Sequence, residues 1–505
     1  MDVKTIAIIG GGVSGALVAT NLLRQATAPL RIVIIERTPP IGRGVAYGTD
    51  CPDHFLNVPA GRMGAFPDAP DHFYKWVAAR VGRSTFPKTV SSTDFLPRTL
   101  YGQYIYSVLM DARLGASKEV TLETIVGEAI DIEEKTGSAL VLLNDGRSIE
   151  AERVVLALGN LPGEYPMRKT SQFFHSPRYV HVPWIDDALA GIRPEDEILI
   201  VGAGLTAADI ITQLTHKGHT GTIHALSRRG LKPQVQRLAP PYRDFLADQT
   251  LPATVRQLLH LVRTEVRAAT TSGQDWQAVI DALRPHTAAL WQNWPVAERA
   301  RFLRHLRPFW DAHRHRFAAQ TGAQLEALDA SGQLKFYAGR LQSLVNTATS
   351  AEAVFRHRGT DKLTTLNVTK VINCTGPRSD YSKYQHPLFI NLLARGLIDH
   401  DPLALGLNAN ADGELFRYRG QPSGWLLTLG APLKGVLWEC TAVAEIRVQA
   451  RTLAAKLIAS FAQQSESARS TASTQRPSPF GGTPNTLRIQ ASDTLWNQRS
   501  IFAAS

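Results

Sequence analysis

The feature that most restricts the fold of this chain is a glycine-rich turn between an apolar strand and a helix near the N-terminus. Residues 6–9 are apolar and mostly β-branched, and Gly10, Gly12 and Gly15 follow at GxGxxG spacing. One glycine of such a turn makes the bend, one lets the backbone approach a pyrophosphate, and one lets the helix pack on the strand. The segment therefore predicts a dinucleotide-binding unit, with Ser14 among its binding residues, because a helix N-terminus offers free N–H groups and partial positive charge.

A second apolar strand, residues 30–36, ends in an acid roughly 20 residues after the third glycine, as the fingerprint requires. A carboxylate there would bond both ribose hydroxyls and would repel a 2′-phosphate. We therefore predict FAD at this first site, bound through Glu36 with Arg37 beside it. The alternative is a glycine-rich loop in an ordinary α/β unit.

The same strand, turn and helix pattern recurs at residues 196–211. Gly202 and Gly204 form the turn, Thr206 follows, and Ala207 replaces the third glycine, which the fingerprint tolerates. The recurrence predicts a second dinucleotide site on the same chain.

The strand after this second turn, residues 222–227, ends in two arginines instead of an acid. Arginines favour a 2′-phosphate through charge-assisted bidentate hydrogen bonds. We therefore predict NADPH at the second site, held by Arg228 and Arg229. The alternative is that the pair belongs to a solvated turn.

Three further strands end in glycine turns, at Gly159, Gly376 and Gly430. The first two are typical of a parallel sheet passing close beneath a bound dinucleotide. The third leads into a helix whose start, with Thr441, would aim amide dipoles at the pyrimidine end of a flavin. A plain strand terminus is the alternative at each.

Two loops after Glu36, residues 42–48 and 54–66, combine glycine and proline with aromatic and apolar residues. This composition is typical of an ordered loop packed on a flat ligand. We predict that Asn57 and Arg62 line the reactive face of the flavin, with Arg43 or Tyr47 nearby. Surface turns are the alternative.

The fold class predicted is α/β, with two dinucleotide-binding, Rossmann-like domains, a small β-meander insertion and a helical insertion. The FAD-binding domain is predicted to be discontinuous, at 1–190 and 330–462, around an NADP-binding domain at 191–329. The helical insertion spans about 240–319, and its basic stretch 301–316 is either a solvated helix face or an anion site. Residues 463–505, rich in Ser, Thr, Gln and Pro, are predicted to be a disordered tail.

Composition excludes several classes of protein. The 505 residues carry a formal net charge of +11, yet no nucleic-acid-binding motif accompanies it, and anionic cofactors and an acidic substrate are a sufficient explanation. No apolar run is long enough for a membrane span, and no signal peptide is recognisable, so a cytoplasmic location is expected. The three cysteines lie far apart, which disfavours a disulfide reductase, and no metal site is predicted.

The order of these motifs resembles the flavoproteins with two dinucleotide-binding domains that include class B and N-hydroxylating monooxygenases. Residues 42–47, 55–61 and 438–447 resemble more closely a bacterial group of FAD/NAD(P)-binding proteins, and the resemblance covers about residues 3–460. It implies an NADPH-dependent FAD monooxygenase that uses molecular oxygen and a flavin C4a-peroxide to hydroxylate a small amine or amino acid. The positive net charge favours an anionic one. The signature of Baeyer–Villiger enzymes is absent.

Two other functions stay open. One is an FAD-dependent NAD(P)H oxidoreductase with a non-oxygen acceptor, and the other is a non-catalytic flavin-binding sensor or scaffold. The sequence indicates neither the substrate nor the oligomeric state.

Overall fold

A computed structural model describes residues 3–83, 85–167, 172–185, 187–247 and 249–474. Its strands pair into two large sheets and one small one. In chain order they are β1 (Lys4–Ile9), β2 (Leu30–Glu36), β3 (Val120–Val126), β4 (Ala129–Lys135), β5 (Ser138–Leu143), β6 (Ser148–Ala151), β7 (Arg153–Leu156), β8 (Tyr179–Val180), β9 (Ile198–Val201), β10 (Ile223–Ser227), β11 (Leu334–Asn346), β12 (Ala351–His357), β13 (Leu363–Val368), β14 (Lys370–Asn373), β15 (Glu414–Phe416) and β16 (Pro422–Thr428).

The helices cover the two large sheets or form the insertion between β10 and β11. They are α1 (Val13–Gln25), α2 (Gly44–Tyr47), α3 (His72–Ala78), α4 (Arg98–Leu114), α5 (Leu205–His216), α6 (Val255–Thr271), α7 (Trp276–Ala282), α8 (Thr287–Asn293), α9 (Val296–His305), α10 (Arg307–Arg314), α11 (Ala319–Ala330), α12 (Pro387–Ala394), α13 (Lys434–Leu437) and α14 (Val443–Thr474).

The first sheet has the order β15-β16-β7-β1-β2-β3 and is parallel except for β15. Its central strand β1 pairs with β2 from Lys4 opposite Leu30 and with β7 from Ile6 opposite Arg153. Strands covered on both faces need apolar residues throughout, and β1 is buried from Thr5 to Ile9. The glycine-rich turn thus begins at the centre of the sheet, where strand order reverses around β1.

The second sheet has the order β13-β12-β11-β10-β9-β14-β8. Its five strands from β11 to β8 run parallel, whereas β12 and β13 add antiparallel pairs at one side. The two parallel sheets confirm the predicted pair of Rossmann-like domains.

The predicted boundaries of the second domain were wrong on both sides. Residues 334–373, assigned to the first domain by sequence, form β11 to β14 of the second sheet, and β8 at Tyr179–Val180 also belongs there. The reason is non-local pairing, because β11 extends β10 after the helical insertion and β14 lies between β9 and β8. The chain returns to the first sheet only with β15 and β16.

The structure contains both predicted insertions, one made of β-strands and one made of helices. Strands β4, β5 and β6 form the small meander, and residues 120–126, just before it, are the edge strand β3 of the first sheet. Helices α6 to α10 form the helical insertion, and Thr254 begins α6 with a capping box shared with Gln257.

The described residues divide into two units, one that ends at Ala459 and one that begins at Ser460. The predicted tail begins at 463, but α14 runs to Thr474, and the remainder of that tail lies outside the described residues. In the part of the chain that the structure describes, every helix is too short or too polar to cross a membrane.

Candidate functional site

The first glycine-rich turn joins β1 to α1 and has no room for a side chain at two of its positions. Gly10 has a φ of +104°, and a Cβ there would lie 2.3 Å from the carbonyl oxygen of Ala157, just after β7. A Cβ at Gly15 would lie 2.0 Å from the carbonyl oxygen of Gly10. Gly12 is the N-cap of α1, and Ser14 is buried in its first turn. The bend and the close packing of helix on strand therefore both require glycine here.

Glu36 lies beside this turn. Its carboxylate accepts hydrogen bonds from Gly11 N at 2.7 Å and from Thr38 N at 3.0 Å, which fixes it at the end of β2. Arg37, predicted to bind the cofactor, instead faces Glu128 at 3.4 Å on the surface. The structure thus places Glu36, but not Arg37, at the turn.

A segment from near the C-terminus completes the first site. Gly430 has a φ of +74°, and the position of its Cβ would lie 3.4 Å from Ser14 Oγ. Gly430 N donates to Gln449 Oε1 at 2.8 Å, and Cys440 Sγ donates to the Gly430 carbonyl at 3.1 Å. These bonds hold the β16 turn against α14, with the exposed Thr441 just before the helix.

Arg43 and Tyr47 pack against the first half of α4. A Cβ at Gly102 would lie 3.0 Å from Arg43 Cγ and 2.9 Å from the Tyr47 carbonyl oxygen, so glycine lets α2 approach α4. The ring of Tyr47 lies 4.7 Å from that of Tyr101. Burial raises the pKa of Tyr47 to about 12, against the attraction of Arg98. Tyr47 is therefore a neutral phenol at physiological pH.

Asn57 and Arg62 lie on the neighbouring loop. Backbone hydrogen bonds hold this loop to the segment before α4, from Leu56 N to the Leu96 carbonyl and from Ala60 N to Asp94. Asn57 is half-buried and Arg62 is exposed. All four side chains predicted at the reactive face are thus grouped around α4 and the segment before it.

The second glycine-rich turn repeats the construction of the first. Gly202 has a φ of +127°, and a Cβ there would lie 2.1 Å from the carbonyl oxygen of Cys374, just after β14. Beside Gly204, by contrast, no atom of the described residues other than its chain neighbours lies within 4 Å of the Cβ position. Thr206 is half-buried in the first turn of α5. The turn therefore presents a helix N-terminus with open space beside its second glycine.

The two arginines after β10 have different surroundings. Arg229 donates to the carbonyl oxygen of Arg304 at 3.3 Å and lies 5.5 Å from the ring of Phe309, so the helical insertion holds it. Arg228 is exposed. Arg228 is thus the better placed of the two to meet a ligand from solvent.

Gly159 and Gly376 mark the two crossings between the domains. Leu161 and Arg378 form an isolated antiparallel bridge, and Thr375 Oγ1 donates to the carbonyl oxygen of Glu164 at 3.2 Å. Among the residues that the structure describes, none besides the chain neighbours comes within 4 Å of the Cβ position of either glycine. The two linkers are therefore paired with each other and border open space.

Sequence reasoning missed a third connection between the domains. Arg98, which begins α4, forms a bidentate ion pair with Asp209 of α5, at 2.8 and 3.1 Å, and both side chains are largely buried. His54 Nε2 lies 2.8 Å from the Asp209 carbonyl oxygen, so it is the donor, and Nδ1 accepts from Thr49 Oγ1 at 2.7 Å. We call Arg98, Asp209 and His54 the interdomain clamp. An acid inside the apolar stretch 207–211 was the one signal for it in the sequence.

A group of cations lies where the helical insertion meets the C-terminal motif, and sequence reasoning identified only part of it. Arg284 pairs with Glu445 through two hydrogen bonds of 2.8 and 2.9 Å. Arg314 faces Glu439 at 3.8 Å, and Trp310 Nε1 donates to the same carboxylate at 2.9 Å. Only 13% of the Arg314 side chain and 9% of the Glu439 side chain are exposed.

Two more cations join this group. Lys434 Nζ lies 5.1 Å from the ring centre of Trp438, and Arg447 donates to the Gly64 carbonyl oxygen at 2.9 Å. The buried Nε atoms of Arg314 and Arg447 have no hydrogen-bond partner among the described residues. Burial lowers the pKa of Arg314, Lys434 and Arg447. We call the four cations, with Glu439 and Glu445, the basic seam.

No group of three or more possible metal ligands occurs within the described ranges. Two histidines of the basic stretch, His313 and His315, contact groups that do not together form a set of metal ligands. His313 Nδ1, for example, bonds the carbonyl oxygen of Phe309 at 2.7 Å.

Two family models match the chain. Residues 7–161 match a model described as FAD-NAD(P)-binding, and residues 128–282 match one for L-lysine 6-monooxygenase/L-ornithine 5-monooxygenase. The chain is an FAD- and NAD(P)-binding flavoprotein. No curated protein matches this flavoprotein by sequence.

Solved structures similar to the flavoprotein include three amine monooxygenases. The ornithine N-hydroxylase of Kutzneria sp. 744 has 15% identity, covers 90% of this chain and 99% of its own, and has a TM-score of 0.60. L-lysine 6-monooxygenase from Pseudomonas syringae has 14% identity over 91% and 100%, with a TM-score of 0.58. The cadaverine monooxygenase of Erwinia amylovora has 14% identity over 90% and 94%, with a TM-score of 0.57. At these identities the likeness establishes the fold.

The residues of the flavoprotein fit both dinucleotides. The first turn, with Glu36 beside it and Gly430 above Ser14, has the carboxylate and backbone groups that FAD requires. The second turn has open space at Gly204 for a pyrophosphate and two arginines after the next strand. Together with the match of residues 128–282 to the monooxygenase model, this fit supports an FAD- and NAD(P)H-dependent oxidoreductase.

Proposed function

We propose that this flavoenzyme is an NADPH-dependent monooxygenase that hydroxylates a small anionic amine or amino acid. The match of residues 128–282 to the lysine and ornithine monooxygenase model supports the reaction class. The fold shared with the ornithine, lysine and cadaverine enzymes agrees with it.

The basic seam is the observation that carries the proposal for the substrate. Four cations share two carboxylates there, and burial of the surplus positive charge is costly unless an anion compensates it. The seam also adjoins the flavin-binding elements, because Arg447 bonds the loop that bears Arg62, and Glu439 precedes Thr441. A substrate carboxylate would supply the negative charge that these four cations lack.

These positions assign separate roles to FAD and to the residues around it. FAD, when bound and reduced by NADPH, supplies the activation of oxygen. Glu36 and the first turn would hold its adenosine half, and the Gly430 turn its other end. The basic seam would bind and orient the substrate carboxylate, and the apolar ring of Tyr47 beside Tyr101 would help to exclude water.

The test is NADPH oxidation and incorporation of ¹⁸O from ¹⁸O₂ into product, with acidic, neutral and basic amines compared. We expect aspartate- or glutamate-like compounds to stimulate both, and lysine, ornithine and cadaverine to be poor substrates. Arg314→Gln should raise KM for the acidic amine about 10- to 100-fold, the value of a lost charged hydrogen bond, whereas the exposed Arg263→Gln should leave it unchanged. Preference for a basic amine would contradict the anionic substrate.

The same assay separates the other functions. NADPH oxidation without labelled product, coupled to another acceptor, would indicate a dehydrogenase or reductase. Tight FAD binding without NADPH oxidation would indicate a sensor or scaffold. Disulfide reduction is disfavoured because Cys51, Cys374 and Cys440 are all buried and unpaired with one another.

A further inference from the structure

The interdomain clamp joins two elements with separate roles. Asp209 lies on α5, the helix that starts at Gly204 and is predicted to face the pyrophosphate of the nicotinamide dinucleotide. Arg98 also donates through Nε to the Phe55 carbonyl oxygen at 3.1 Å, and Arg98 N donates to the His54 carbonyl oxygen at 2.8 Å. The clamp thus ties the nicotinamide-binding helix to the loop of Asn57 and Arg62, which is predicted to line the flavin.

The domains also meet at the basic seam, where the helical insertion contacts the C-terminal motif. Within the described ranges, the chain crosses between the two large sheets at the paired linkers near Gly159 and Gly376, which adjoin each other at Leu161 and Arg378. Two adjacent linkers can act as a hinge. The basic seam restrains the helical insertion, whereas a tie at α5 restrains the helix that is predicted to bind the nicotinamide dinucleotide. Asp209 provides this tie through both carboxylate oxygens and its carbonyl oxygen.

The chemistry of the clamp suits alignment better than simple adhesion. A buried ion pair is weak evidence for stability, since its desolvation cost offsets much of the attraction. A guanidinium and a carboxylate bonded as a fork, however, permit one relative orientation. A small displacement of a bound donor from its acceptor lowers a reaction rate strongly.

We propose that Arg98, Asp209 and His54 are positioning residues that align bound NADPH with FAD and so set the rate at which NADPH reduces the flavin. This reaction moves one hydride, with its two electrons, from NADPH to FAD and leaves NADP⁺ and reduced flavin. The inference rests on the two cofactors alone and is independent of the oxygen chemistry and substrate proposed above.

The first experiment is anaerobic rapid mixing of the FAD-loaded enzyme with NADPH. Asp209→Asn keeps the shape of the side chain but removes the charge, and we expect the limiting rate of flavin reduction to fall at least about 10-fold, with less than a 3-fold change in the Kd of NADPH. The control is Asp53→Asn, which breaks the exposed pair of Asp53 with His216 between the same loop and the same helix. The control should reduce flavin at the normal rate.

The second experiment measures the distance between the domains and does not require the enzyme to turn over. Spin labels at Lys118→Cys and Gln320→Cys, exposed sites on the two domains, report the interdomain distance in the apoprotein, and the three native cysteines are buried and should not be labelled. We expect one narrow distance distribution for the parent and Asp53→Asn proteins and a broader or shifted one for Asp209→Asn.

Unchanged distances together with a reduction rate within 2-fold of the parent would overturn the proposal. If Asp209→Asn fails to fold, Arg98→Lys, which keeps the charge but loses the fork, takes its place under the same criteria. Absence of labelled oxygen from the product of the parent enzyme would defeat the monooxygenase proposal and would not affect these measurements.

Discussion

Gly10 in the first domain and Gly202 in the second occupy equivalent places. Each follows the central strand of a parallel sheet, each has a positive φ, and each lies against a carbonyl oxygen just beyond the adjacent strand, at Ala157 or Cys374. This similarity is what a repeated strand, turn and helix unit requires, because the helix can pack on the sheet only if the backbone passes that oxygen closely.

The surroundings of the two turns differ. In the first, a Cβ at Gly12 would lie 3.5 Å from Gly44 Cα, and the Gly430 turn lies over Ser14. In the second, the Cβ position at Gly204 faces open space. A site enclosed by distant chain segments suits a cofactor that stays bound, whereas an open one suits a dinucleotide that enters and leaves in each catalytic cycle.

The largest expected effect tests the similarity itself. Gly10→Ala and Gly202→Ala should each lower the free energy of unfolding of the apoprotein by at least about 2 kcal/mol, because a strained φ adds to the overlap with a carbonyl oxygen. Gly146→Ala is the control for strain alone, since its φ is +85° and no atom lies within 4 Å of its Cβ position; it should cost about 1 kcal/mol. Urea denaturation measures all three. A loss at only one of the two turns would show that they are not equivalent.

A smaller effect tests the difference between the sites. Arg228→Ala should weaken binding of NADPH relative to NADH by about 1.5–3 kcal/mol, because it removes a charged hydrogen-bond donor from the predicted 2′-phosphate site. Arg229→Ala should have a weaker effect, since the Arg304 carbonyl and Phe309 already engage that side chain. Titration of NADPH and NADH by fluorescence gives both constants. Equal losses for the two nucleotides would remove Arg228 from the phosphate site.

The sequence could predict those features that depend on residues close together in the chain, but not those that depend on pairing between distant residues. The glycine turns and the presence of a meander and a helical insertion follow local rules, so the sequence could predict them. The boundary near residue 330 was wrong because residues 153–159 and 370–376 are both apolar strands that end in glycine turns. Only pairing shows that the second belongs with β9.

The charged residues show the same limit. The sequence left stretch 301–316 open between a solvated face and an anion site, and the structure divides it: Arg301 and Arg304 are exposed, Arg314 faces Glu439, and Arg316 is buried against Asp281. Helical periodicity could not make this division, since it depends on what packs against each face. The partners Arg98 and Asp209 lie 111 residues apart, and no local pattern relates them.

The smallest expected effect concerns His54, which links the loop at the first cleft to the helix at the second, and it is a change in how stability depends on pH. Burial lowers the pKa of His54, against the attraction of Asp209 and Asp53 and with the aid of Arg98. Below about pH 6.5 the unfolded chain therefore binds a proton that the folded clamp excludes, and stability falls as the pH falls.

His54→Gln retains an N–H donor for the Asp209 carbonyl but does not titrate, so its unfolding free energy should decline less between pH 7 and pH 5 than that of the parent. The buried His219 and His224 also have lowered pKa values and are present in both proteins, so the difference between the two curves isolates His54. If the two stability curves are parallel, His54 is protonated as readily in the folded protein as in the unfolded chain. A neutral His54 that donates to the Asp209 carbonyl oxygen would then be wrong.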